Sequence, residues 1–129
     1  MLRRRKKFLQ EGYNCVLCQD GIEETVEHLF FDCPTSVSRW FALGITWSAN
    51  ANIHQKIYIA KQGFGQPFFM EIFLIGAWCI WKERNGLIFD NKVPCIATWK
   101  TSFKSEVADH LIRIKQNLHP SISQWLHAL

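Results

Sequence analysis

Cys15-Val-Leu-Cys18, followed nine residues later by His28 and after four more by Cys33-Pro34, is the stretch on which the reading of this 129-residue chain turns. Written as spacing it is C-x2-C-x9-H-x4-C. Two cysteines three apart can point into one turn and bind one ion. The second pair must then be brought to them, and a short helix over Glu23–Phe31 carrying His28 would do so. Three thiolates and one imidazole complete a tetrahedral shell with no open position. The spacing therefore predicts one structural Zn²⁺ held by Cys15, Cys18, His28 and Cys33, with Asp32 or a backbone carbonyl as candidates to orient the free imidazole nitrogen. Two other readings compete with it. A Cys-x-x-Cys redox pair would sit in a strand-helix-strand pattern, which is absent here, and would leave His28 and Cys33 to coincidence. The four could also be ordinary buried residues, since free cysteine is often buried.

The pattern beyond this stretch is mostly α. Thr35–Leu43 follows Pro34, suited to a first helical turn, and precedes Gly44. Ile53–Lys61 is helical and closed by the turn Gly63–Pro67. Phe68–Asn85 reads as a mostly buried helix stopped by Gly86, and Leu87-Ile88-Phe89 as a short strand before the Asp90-Asn91 turn. Trp99, Phe103, Val107, Leu111, Ile114 and Leu118 form one apolar face of a long helix that Pro120 limits. Trp78, Trp81 and Trp99 are expected in the core, with Cys79 and Cys95 as unpaired core thiols. The expected organisation is a basic arm over residues 1–12, a zinc-binding module over 13–44, and a helical region over 45–129 packed as one domain with it.

Composition narrows the function classes. The formal charge is +4, but five of the fifteen basic residues, Arg3, Arg4, Arg5, Lys6 and Lys7, sit at the start. Without them ten basic face eleven acidic residues, so a uniformly basic nucleic-acid-binding surface is not supported. The Arg3–Lys7 cluster reads as a phosphate-binding arm or a nuclear-localisation signal, or else as a solvated terminus. Glu11, Asp20, Glu23, Glu24, Glu27 and Asp32 surround the ligand stretch with no Lys or Arg among them. RNA or DNA is therefore expected on the arm rather than at the zinc end. Residues 56–104 carry seven basic against three acidic residues, readable as a binding patch or as a solvated surface. No secretory signal follows the basic cluster, and no apolar run reaches the roughly 18–20 residues of a membrane span. An intracellular setting without membrane contact is expected, and there clustered cysteines more often hold metal than pair.

Three blocks carry a resemblance: Cys15-Val-Leu-Cys18; Glu24-Thr-Val-Glu-His28-Leu-Phe-Phe-Asp-Cys33-Pro34 with Trp40; and Ile80-Trp-Lys-Glu-Arg-Asn85 with Ile88-Phe89. Together they resemble the zinc-binding domain of reverse transcriptases from plant LINE-type (non-LTR) retrotransposons and the Trp-Lys-x-Arg-Asn-x-x-x-Phe segment that follows it there. The likeness covers about residues 13–41 and 73–90. It implies metal ligation by Cys15, Cys18, His28 and Cys33, and a non-catalytic module that assists nucleic-acid handling after a polymerase domain. Family members have a longer run before the first cysteine, so this chain is expected to be truncated on that side.

No polymerase, endonuclease or ribonuclease H carboxylate set is present, nor a Gly-x-Ser-x-Gly elbow or a phosphate loop, so no enzyme activity and no small-molecule substrate are expected. The leading reading is a retroelement-derived zinc-binding domain with weak, sequence-independent nucleic-acid affinity. Its rivals are a protein-interaction or self-associating module and a decayed fragment with no selected activity.

Overall fold

A computed structural model describes residues 14–129. Its elements are helical: a π-helical turn His28–Asp32, then α1 Pro34–Ala42, α2 Ile53–Phe64, α3 Phe69–Asp90, α4 Ile96–His110 and α5 His119–His127. Two single 3₁₀ turns, Leu111–Arg113 and Gln116–Leu118, link α4 to α5. Among the described residues β-pairing is limited to one antiparallel bridge, Asn14 with Glu23. No helix there is long and apolar enough to cross a membrane.

Local chemistry explains most boundaries. Pro34 opens α1, where its missing N–H costs nothing. Asn52 and Gln55 cap α2 reciprocally, each side chain accepting from the other's backbone N–H at 2.9 and 3.0 Å. Gly65 closes α2 at φ +76°, a conformation that favours glycine.

α3 is the spine, and α1, α2 and α4 all pack on it. Phe69 stacks on Phe73, and Phe73 on Trp40 from α1. Trp40 is fully buried, and its indole N–H donates to the Phe30 carbonyl at 2.6 Å. At the far end Trp125 of α5 meets Phe64, Phe68 and Phe103 edge-on.

Several expectations need correction. α3 does not stop at Gly86, and Leu87–Phe89 is its last turn rather than a strand. Gly86 does not take a positive φ, so it does not break the helix. Asn91 does, at φ 54°, and the amides of Asn91 and Lys92 close on the Gly86 carbonyl. The apolar face running from Trp99 to Leu118 is not one helix. The chain leaves α4 at His110, becomes extended at Ile114, and Pro120 begins α5 instead of ending a helix. This turn lets Ile122 and Trp125 fold back on the core. Trp78 is 48% exposed, because α3 shows solvent a stripe of Met70, Leu74 and Trp78. Cys79 is buried as expected, but Cys95 is exposed at the start of α4.

Candidate metal centre

The first two ligands lie in a tight knuckle. The Cys15 amide donates to the Ile22 carbonyl at 2.8 Å, and the Gln19 amide to the Cys15 carbonyl at 3.2 Å. Gln19 and Gly21 take positive φ to reverse the chain. Cys15 and Cys18 flank that turn, so their thiols project to the same side.

The second pair is brought in by an unusual turn. The expected helix over Glu23–Phe31 is shorter and wider: regular helix begins at Val26 and becomes a π turn at His28. In an α-helix, residues five apart point about 140° away from one another, which would separate His28 from Cys33. Here the Cys33 amide donates directly to the His28 carbonyl at 2.6 Å, the five-residue closure of a π turn, and both side chains reach the knuckle. Thr25 supports the turn by accepting from the His28 amide at 3.0 Å. Thr35 donates to the Leu17 carbonyl at 3.0 Å, and the buried Ser36 hydroxyl donates to the Leu29 carbonyl. These hydroxyls tie knuckle, π turn and α1 together, and no spacing in the sequence announced them.

One ligand atom from each of Cys15, Cys18, His28 and Cys33 lies within 4.8 Å of every other. Cys15 Sγ and Cys33 Sγ are 3.8 Å apart, and Cys18 Sγ and His28 Nε2 are 3.4 Å apart. Around a tetrahedral Zn²⁺, sulfur–sulfur edges are about 3.8 Å and sulfur–nitrogen edges about 3.6 Å. The donor set and these two edges fit such an ion, and the cysteines are all free thiols. Burial pushes the Cys15 thiol up to about 12, opposed by the amides of Cys18 and Leu17 and reinforced by Cys33. A cation is what makes a thiolate favourable in such a place. Asp32 is exposed, and no hydrogen bond joins it to His28, so the orienting role considered for it is not seen.

Two buried arginines join this centre to the helices. Arg84 on α3 grips Glu24 with Nε–Oε1 and Nη2–Oε2 distances of 2.9 Å, and its guanidinium lies 4.5 Å from the Trp81 ring centroid. Arg39 on α1 grips Glu83 at 3.0 and 2.9 Å, and the same carboxylate accepts from the Cys95 amide. Lys82 pairs with Glu106 of α4. Every charged residue of Trp81-Lys-Glu-Arg-Asn85 thus holds elements together. These commitments also break up the basic stretch over residues 56–104, since Lys56 and Arg84 are buried and Lys82 is paired. Asp20, Glu23, Glu27 and Asp32 remain exposed near the metal ligands. Arg3, Arg4, Arg5, Lys6 and Lys7, expected to contact nucleic acid, lie outside the described residues.

No family model, no curated protein and no solved structure matches the chain.

Proposed function

We propose that this chain is a non-catalytic zinc-binding domain of the retroelement reverse-transcriptase type. Cys15, Cys18, His28 and Cys33 would hold one structural Zn²⁺, and the Arg3–Lys7 arm would supply weak, sequence-independent affinity for RNA or DNA. The observation that carries the metal assignment is the set of four donor atoms, all within 4.8 Å of one another, with separations near tetrahedral zinc edges. The retroelement reading rests on the sequence resemblance of the Glu-Thr…His-Leu-Phe and Trp-Lys-Glu-Arg-Asn blocks, whose Glu24 and Arg84 pair in the fold. The exposed acids around the ligands disfavour phosphate there and leave the arm as the point of contact. The same basic cluster, read as a nuclear-localisation signal, would direct the chain to the nucleus.

Metal content of the purified protein tests the centre. One zinc per chain, lost in Cys33→Ser together with helical signal, is expected; protein prepared without chelators and free of metal would refute it. Salt titration of RNA and DNA binding tests the arm. Deleting residues 1–7 should abolish affinity measured at low salt, and unchanged binding would remove the arm from the proposal.

A second reading, self-association, is favoured by the exposed stripe of Met70, Leu74 and Trp78 on α3. Light scattering would show a dimer that Leu74→Glu disperses.

A further inference from the structure

Two buried polar groups serve neither the metal centre nor the helix joints, and both line one cavity. Lys56 is 4% exposed, and its ammonium donates to the Ala51 carbonyl at 2.8 Å. No carboxylate pairs with it among the described residues. A lysine has three N–H donors and needs a counter-charge when withdrawn from water. Trp47 packs edge-on against Phe31, Trp40 and Phe73, and its indole N–H is buried without an acceptor. Lys56 and Trp47 share the wall of a cavity of about 270 Å³ between the π turn, α1 and the start of α2. Phe31, Val37, Phe41 and Ile45 make up much of the remaining wall. At its mouth Phe41 is 71% exposed.

The chamber therefore offers a cation and mostly apolar walls, one of them the Trp47 ring. Its one carboxylate, Asp32, is exposed. We propose that this cavity binds a small aromatic monocarboxylate. The carboxylate would sit against the Lys56 ammonium, supplying the missing counter-charge, and the ring would lie against Phe31, Val37, Phe41 and the Trp47 ring. Size sets the upper limit, since ligand pockets usually span about 300–1,000 Å³ and this one falls just below. A molecule of one or two rings fits, and a nucleotide does not. Asp32 adds selection by charge: a dianion such as phosphate meets more repulsion from it than a monoanion does. Nothing here depends on which metal the centre holds.

Calorimetric titration of the metal-loaded full chain with 1-naphthoate tests this, with 1-naphthamide as the neutral isostere and inorganic phosphate as the competing anion. Naphthoate should bind at least tenfold more tightly than the amide, and phosphate should not displace it. Lys56→Met keeps the stem without the charge and should weaken naphthoate at least tenfold, and Lys56→Arg should retain most of the affinity. Should Lys56→Met fail to fold, Val37→Trp at the mouth serves instead and should block binding. No heat at millimolar naphthoate, equal affinity for the amide, or unchanged affinity in Lys56→Met or Val37→Trp would overturn the proposal.

Discussion

The knuckle over residues 14–33 and the helices behind it are held together by different physics. In the knuckle, burial is confined to Cys15, Leu17, His28, Leu29, Phe31 and Cys33, while Asp20, Gly21, Ile22, Glu23 and Glu27 face solvent. Its turn residues take positive φ and its helical turn is the wide, weak kind. The helices instead share a core of rings, some stacked and most edge-on, along Phe64, Phe68, Phe69, Phe73, Trp99, Phe103 and Trp125. Aromatic burial of that extent stabilises long helices without other help. Four convergent ligands would do the same, with a metal bound, for a segment too small to build a core. The joint between the two is of a third kind, with Trp40 as its apolar centre and two buried Arg–Glu pairs at its sides.

Removing the metal is the strongest way to break this contrast. Zinc in small finger peptides contributes about 10–16 kcal/mol of folding free energy. Chelation should strip amide protection from residues 14–33 in hydrogen exchange while α3 and α4 stay protected. Loss of protection in both regions together would show one cooperative unit and erase the distinction drawn here.

The joint is probed next by Glu24→Gln, which leaves the Arg84 guanidinium buried without its carboxylate. Breaking a buried pair from one side costs about 3–5 kcal/mol. Arg84 keeps Asn85 and the Trp81 ring as partners, which places the expected loss near the lower end, about 3 kcal/mol. The double variant Glu24→Gln/Arg84→Met should recover much of it, because no orphaned charge remains. Urea melts decide; a single variant as stable as the parent would make the joint incidental.

Gly76→Ala acts on the apolar centre of the same joint. A Cβ there would lie 2.7 Å from Trp40 Cζ3 and 3.0 Å from Cη2. The ring is stacked on Phe73 and its N–H is fixed to the Phe30 carbonyl, so it has little room to yield. Overpacking costs about 1–3 kcal/mol, against about 1 kcal/mol gained from alanine's helix propensity. A net loss of about 1 kcal/mol is expected, and a raised urea midpoint would show that Trp40 can shift after all.

How legible each region was follows from the same contrast. Ligand spacing is set by coordination chemistry, so Cys15, Cys18, His28 and Cys33 could be read directly from the sequence. The π turn could not, because its closure depends on where Cys33 must arrive rather than on any local periodicity. Among the helices, the rough positions of α1, α2 and α3 and the start of α4 were readable; α5 was not, because apolar spacing from Trp99 to Leu118 runs on past the break at His110, and two further signals misled. Gly86 looked like a stop, although a glycine ends a helix only when it takes the left-handed conformation, and here Asn91 does so. The run from Phe68 to Trp81 is apolar on nearly every side, so periodicity could not say which stripe faces water. That is why Trp78 was misplaced. Lys56 and Trp47 belong to no motif, and only packing reveals that both were buried short of partners.

The smallest expected effect sharpens the contrast from the helical side, where α3 and α4 also share one ion pair. Glu106 accepts a hydrogen bond from Lys82, and this holds its carboxyl below the ordinary value of 4.5 against an opposing desolvation cost. The Lys82 charge, the Trp78 indole and His110 act in the same direction. A carboxyl depressed in the folded state stabilises the fold above its unfolded pKa, and that contribution fades as pH falls from about 4.5 through the lower folded value. Because the pair is partly solvated, salt should screen it and the effect should stay small. Glu106→Gln should therefore lower the plateau near neutrality slightly and converge with the parent well below pH 4.5, which flattens the acid limb of a melting-temperature profile by the same small amount. It should leave metal affinity untouched, since α3 and α4 stay packed along their length and the pair lies away from the four ligands. An acid limb as steep as the parent's would assign the pH sensitivity to groups other than Glu106.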